Sequence, residues 1–222
     1  MLLKAEKLEF GYKEPLCRPL DFSLASGEVV ALIGANGCGK SSLLKTLGGL
    51  VPPLGGKVWA SSVSLVRMGL TPPETMTVEE FVSLGRSPYS NFLDGRTHED
   101  LLIIHEALAM MDLVGMARKK VVHLSDGERS RVFLAEAIAQ QAQVLLLDEP
   151  NAFLDIPRSH FLFRTLRKLA EERGLGILVS THSLEYAERY AHKILSFTGL
   201  GNVECALANE ARQKGLFDWT EI

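Results

Sequence analysis

The sequence predicts an α/β fold built on a mainly parallel sheet, and three short apolar runs carry that reading. Val29-Val-Ala-Leu-Ile33, Val144-Leu-Leu-Leu147 and Gly176-Ile-Leu-Val179 show no apolar/polar alternation, as expected of strands covered on both faces. Each run ends in polar residues: Gly34-Ala-Asn-Gly-Cys-Gly-Lys40, Asp148-Glu149-Pro150 and Ser180-Thr181-His182. In open α/β sheets ligands sit beyond the carboxyl ends of the strands, so these segments are expected to converge on one site.

The remaining elements follow from local signals. Ser41 to Leu50 reads as a helix closed by Gly48-Gly49 and Pro52-Pro53. Thr77-Val-Glu-Glu80 is a capping box opening a short helix that stops at Gly85. Thr97, followed by Glu99 and Asp100, opens a longer helix with Leu101, Ile104, Leu108 and Met111 at helical spacing. Residues of roughly 70–123 therefore read as a mainly helical subdomain inserted into the α/β core. Ser87-Pro-Tyr-Ser90 and Asp94-Gly95 are its expected surface turns.

The 222 residues, 46% hydrophobic and 23% charged, suit one globular core with a subdomain and exclude a disordered or fibrous chain. With 24 Lys and Arg against 27 Asp and Glu, the net charge of −3 leaves no basic field for a nucleic acid, and no nucleic-acid partner is expected. The apolar runs fall far short of the ~20 residues that span a bilayer. Lys4, Glu6 and Lys7 stand where a signal peptide would be apolar, so the chain is expected to be soluble and unexported. Three cysteines without C-x-x-C spacing suggest neither a disulfide framework nor a zinc site, and a reduced cytoplasm is the natural compartment.

Gly34 to Ser41 satisfies G-x-x-x-x-G-K-[ST], the P-loop pattern. Gly34, Gly37 and Gly39 let backbone N–H groups turn inward around phosphate oxygens, Lys40 supplies a point charge, and Ser41 places a hydroxyl on Mg²⁺. The helix that follows adds its positive N-terminal end. Cys38 reads as a small loop filler, placed where thiol modification would disturb nucleotide binding. At the second strand end Asp148 is suited to hold Mg²⁺, directly or through water, and Glu149 to polarise an attacking water. The bland alternative for that pair is an acidic turn before Pro150.

A P-loop alone also fits small-molecule kinases and GTPases. Leu124-Ser125-Asp126-Gly127-Glu128 narrows the choice: it resembles the LSGGQ signature of ATP-binding-cassette (ABC) transporter ATPases, while also serving as a capping box for the helix Arg129 to Gln140. The resemblance covers nearly the whole chain. It implies a P-loop core with an N-terminal antiparallel β region and the inserted helical subdomain, and an ATP site lined by Asn36, Cys38 and Ser42 besides the P-loop residues above. It implies that the segment Leu124 to Glu128 acts on the ATP of a second, head-to-tail copy and that Tyr12 stacks on adenine. Asp155, in Ala152-Phe-Leu-Asp155, falls in the D-loop of the dimer interface. His182, in Thr181-His-Ser-Leu184, is the switch histidine that contacts the γ-phosphate. The implied partners are transmembrane permease subunits and, indirectly, an exported substrate-binding protein, with the ATPase peripheral on the cytoplasmic face. Met76-Thr-Val-Glu-Glu-Phe81 and Leu84-Gly-Arg-Ser-Pro-Tyr89 look most like the ATPases of iron-siderophore, haem and vitamin B12 importers.

Three positions depart from the family pattern. No Gln occurs in 1–139, so the Q-loop glutamine expected near Met68 is missing or replaced, and a thioether is a poor ligand for Mg²⁺. Asp126 replaces a signature glycine and puts a carboxylate where a γ-phosphate should arrive, which would weaken closure unless it points away or pairs with Arg129 or Arg131. Ser183 takes a position often held by Asp. Two other readings stay open at this point: a slow-turnover, nucleotide-dependent dimerisation switch, and a soluble non-transport ABC ATPase.

Overall fold

A computed structural model describes residues 1–67, 72–89, 96–152, 154–198 and 201–217. The chain divides into two units, Met1–Leu65 with Gln143–Ile222, and Val66–Ala142.

In the first unit, β1 (Leu3–Glu9) pairs antiparallel with β2 (Leu20–Leu24) and β4 (Gly55–Ala60), giving the order β2-β1-β4. The residues of β2 alternate between buried and exposed, the pattern of a sheet covered on one face only. The second sheet takes β3 (Val29–Ile33), β5 (Val63–Arg67), β6 (Val144–Asp148), β7 (Gly176–Ser180), β8 (Lys193–Phe197) and β9 (Val203–Leu207) in the order β5-β6-β7-β3-β8-β9. Strands β6, β7, β3 and β8 run parallel, in the register Leu147 opposite Val179 and Leu32 opposite Ser180. All five residues of β3 and of β7 are buried, which accounts for the unbroken apolar runs in the sequence. Strand β8, and the antiparallel β9 beside it, carry no motif and emerge only from pairing.

Helix α1 (Lys40–Leu47) follows β3 and buries Leu43, Leu44 and Leu47 in a core that also takes Leu8, Phe22 and Leu24 from the first sheet, Phe10 from just beyond β1, and Leu32, Leu146 and Leu178 from the second. The helix ends three residues before Leu50, because Gly48 takes the C-cap and Gly49 turns to φ 73°. Helices α5 (Ile156–Arg173) and α6 (Leu184–Tyr190) pack against the parallel sheet. They meet through Phe163 and Tyr186, whose rings stack at 5.0 Å.

The second unit holds α2 (Val78–Ser83), α3 (His98–Met110) and α4 (Asp126–Ala139). Reciprocal capping boxes open all three, at Thr77 with Glu80, Thr97 with Asp100 and Ser125 with Glu128. The unit runs past the 70–123 read from sequence because α4 packs on α2 and α3. A 3₁₀ turn, Leu84–Arg86, follows α2. A Cβ on its Gly85 would sit 2.2 Å from the carbonyl oxygen of Glu136 in α4, so only glycine permits this approach. The neighbouring Arg86 is 6% exposed. It donates to Asp100 Oδ1 at 2.7 Å, to the Ala139 carbonyl at 3.0 Å and to Gln141 Oε1 at 3.0 Å, joining all three helices. The segment that resembled a subgroup marker is thus also the buried joint of this unit. The expected turn at Asp94-Gly95 and the position of Met68 lie outside the described residues.

Candidate active site

Strand β7 lies between β3 and β6, so the three polar segments named from sequence follow adjacent parallel strands at the same end of the sheet. After β3, Gly34 adopts φ 151°, and a Cβ there would meet Phe197 Cβ at 2.8 Å and Cys38 Sγ at 2.9 Å. Lys40 opens α1 and is 5% exposed. Its Nζ donates to the carbonyls of Gly34 at 2.9 Å and Ala35 at 3.0 Å, which occupies two of the three ammonium donors within the loop. Gly39, at φ 113°, is the N-cap of α1 and offers no side-chain cap, so the first N–H groups of the helix face the loop. Gly37 (φ 78°) completes the turn, and exposed Ser41 follows Lys40 on the first turn of the helix. Asn36 lies exposed on the loop, and Ser42 is half-buried, its carbonyl accepting from the Thr46 hydroxyl. Burial pushes the half-buried Cys38 thiol above its ordinary 9.0 against the pull of Lys40.

Phe10 to Leu16 forms a loop against the P-loop: Leu16 N–H donates to the Phe10 carbonyl at 3.0 Å, and Leu16 Cδ1 comes within 3.0 Å of where a Gly39 Cβ would stand. On that loop Tyr12 is 66% exposed, its ring free of the core and open to stacking.

At the end of β6, Asp148 continues the strand, and Glu149 turns into the left-handed region at φ 47°. This is uncommon and strained for a side chain of this kind. Glu149 Oε1 lies 2.5 Å from His182 Nε2. An ionised carboxylate only accepts, so Nε2 carries the hydrogen. Sequence reading did not single out Ser180, which is fully buried at the end of β7. Its hydroxyl donates to Asp148 Oδ1 at 2.8 Å and accepts from the Glu149 N–H at 2.8 Å. The only signal for it was a polar residue closing an apolar run. Thr181 was likewise passed over: its hydroxyl lies 3.2 Å from Asn151 Oδ1 and accepts from the Ser183 N–H at 3.1 Å. Ser183 in turn caps α6 through the Tyr186 N–H, a capping role open to serine and aspartate alike. Asp155 caps α5 by accepting from the Arg158 N–H at 2.9 Å.

In the second unit, the Ser125 N–H reaches Glu128 Oε2 at 2.7 Å, and the Ser125 hydroxyl accepts from the Glu128 N–H at 3.3 Å. The Ser125 N–H, helped by the Ser125 side chain, holds the Glu128 carboxyl below its ordinary 4.5. Asp126 pairs with Arg129, while Arg131 instead donates to the Met111 and Asp112 carbonyls and to the Asp112 side chain. Gly127 is buried, and Leu124 is 5% exposed.

Asp148 and Ser41 offer hard oxygen donors, which suit Mg²⁺. Among the described residues no group of three or more His, Cys, Asp and Glu could hold a metal ion, so such an ion would complete its shell from phosphate oxygens and water.

A P-loop ahead of a helix, with a carboxylate pair and a histidine on adjacent strand ends, defines a nucleotide-binding ATPase. The chain belongs to the ABC transporter family, whose model matches residues 17–152, more than half of the sequence. It is 34% identical over 209 residues to the iron(3+)-hydroxamate import ATP-binding protein FhuC of Bacillus subtilis, covering 87% of this chain and 78% of that relative. A metal-chelate type ABC transporter solved in an inward-facing conformation superposes with a TM-score of 0.93 at 28% identity, over 100% of this chain and 89% of that one. A bacterial ABC transporter cassette solved as a dimer gives 0.75 at 26% identity, over 87% and 93%.

Proposed function

We propose that two copies of the chain close head to tail over two ATP molecules and that hydrolysis drives a permease importing an iron complex, a siderophore or haem, or cobalamin. The observation that carries the hydrolytic part is the 2.5 Å contact of Glu149 and His182 beside the strand that feeds the P-loop. Iron transport is supported by what the relatives are named for, and dimerisation by a related cassette solved as a dimer.

In this reading the P-loop amides and Lys40 hold the β- and γ-phosphates, and Tyr12 stacks on adenine. Ser41 and Asp148 hold Mg²⁺, which when bound offsets the charge of the phosphates. Glu149 accepts the proton of the attacking water, which needs the carboxylate within about 3 Å of that water. His182 leaves Glu149 for the γ-phosphate when ATP is present, and its Nε2 hydrogen then donates to a phosphate oxygen. Ser125 and the N-terminus of α4 serve the ATP of the other copy, and Asp155 lies at the joint between copies. The pairing of Asp126 with Arg129 offsets the carboxylate that replaces the signature glycine. The chain works at the cytoplasmic face through permease subunits, fed by an exported binding protein; no helix among the described residues is long and apolar enough to cross a membrane.

The Glu149→Gln variant tests the assignment. It should bind ATP and accumulate as an ATP-bound dimer on size-exclusion chromatography. Turnover at the wild-type rate would sink Glu149 as the base.

A further inference from the structure

Strand β7 reads Gly-Ile-Leu-Val-Ser, and its last residue is the exception inside a fully buried parallel strand. A buried hydroxyl without partners is destabilising, so a serine here needs a use for both its donor and its acceptor. Both are spent on the site. The donor goes to Asp148 Oδ1 and the acceptor takes the Glu149 N–H, each at 2.8 Å. The register explains how: Leu147 is opposite Val179, so Ser180 falls beside Asp148 where the two strands end.

The second bond bears on the conformation of Glu149. At φ 47° the chain has left the ladder, and a backbone N–H turned out of a buried sheet must find another acceptor. The Ser180 hydroxyl is that acceptor, and a residue in this strained region persists only where its surroundings hold it. The same turn brings the Glu149 carboxylate to within 2.5 Å of His182, two residues beyond Ser180 on the same segment. One buried hydroxyl therefore links the metal-binding carboxylate, the backbone of the proposed base and the strand that delivers the histidine.

We infer that Ser180 is a positioning residue for ATP hydrolysis: its hydroxyl orients Asp148 and sets the left-handed backbone of Glu149, from which the carboxylate is aimed. The inference rests on the assignment of Glu149 as the base. It concerns aim and not nucleotide capture, because the P-loop contacts do not pass through Ser180.

The test compares Ser180→Thr with Ser180→Val in the full-length chain. The two side chains have nearly the same shape and differ in the hydroxyl, so any overpacking from the added methyl is common to both. With Mg·ATP, Ser180→Val should lose roughly 10- to 100-fold in kcat relative to Ser180→Thr, the usual cost of removing an outer partner of a site residue. KM for ATP, and the affinity for a fluorescent ATP analogue, should stay within about threefold of each other. Ser180→Ala, which creates no overpacking, should fall with the valine variant. Equal kcat for threonine and valine, wild-type kcat for alanine, or a loss confined to KM and analogue affinity would each overturn the inference. Glu149→Gln is assayed alongside: its hydrolysing ATP at the wild-type rate would remove the reading on which the inference rests, whereas failure of the inference alone leaves Glu149→Gln inactive.

Discussion

Glu149 Oε1 and His182 Nε2 stand 2.5 Å apart across adjacent parallel strands, each carried on the first residues beyond its strand. In the proposed reading His182 gives up this contact for the γ-phosphate when ATP binds, so His182→Ala, which removes that donor, should lower ATP turnover roughly 100-fold or more while binding of ATP persists. Steady-state kcat beside equilibrium ATP affinity checks this, and a loss of affinity with kcat retained would contradict it.

The buried Arg86 and Asp100 pair predicts a strong stability effect. Arg86→Leu leaves Asp100 charged and nearly buried, and breaking such a pair by removing one partner typically costs about 3–5 kcal/mol. Urea denaturation monitored on the full chain should show that loss. The Arg86 guanidinium, with help from Thr97, holds Asp100 at about 2 against its ordinary 3.8. A depressed carboxyl stabilises fully above the unfolded value and loses that contribution as pH falls through the folded one. The stability gap between wild type and Asp100→Asn should therefore be constant above pH 5 and narrow between about pH 4 and 2.

Glu136, on α4, has the opposite sign. Burial raises its carboxyl from 4.5 to about 6, so the folded state favours the protonated form. Its contribution is present below the unfolded value and lost as pH rises through the folded one. Glu136→Gln should leave stability unchanged below about pH 4 and raise it above pH 7 by about 2 kcal/mol, the worth of the displacement from 4.5 to 6. Melting temperatures at the two pH values decide it.

Gly85 meets the backbone of α4 more closely than any Cβ allows. Gly85→Ala should destabilise the protein by about 1–3 kcal/mol, as overpacking does, although alanine is the better helix former. An unchanged denaturation midpoint would show that the turn can move away from α4.

In the signature segment, Asp126→Gly restores the family residue. If Arg129 offsets Asp126, then Arg129→Ala should weaken ATP-dependent dimerisation and Asp126→Gly should relieve that defect in the double variant. Sedimentation in the Glu149→Gln background, which the proposed mechanism expects not to hydrolyse ATP, reads both, and additive effects would rule out the coupling.

The residues legible in the sequence are those whose chemistry depends on neighbours along the chain. The P-loop spacing, the capping boxes at Thr77 and Ser125 and the unalternating strands are local patterns, and local geometry follows from them directly. Asp148, Glu149 and His182 were legible because each ends a strand that announces itself by hydrophobicity. What only the tertiary structure decided is which groups meet across strands. Ser180 carries no motif, since its partners lie 31 and 32 positions away and are set by the β6 and β7 register. Arg86 looked like part of a subgroup marker, yet its partners come from α3 and from the end of α4. The Asp126 carboxylate could be flagged as a hazard from sequence, but the choice of Arg129 over Arg131 required knowing that Asp112 and two carbonyls already engage Arg131. A sequence states what each residue can donate or accept; register and packing decide which donors and acceptors come within 3 Å of one another.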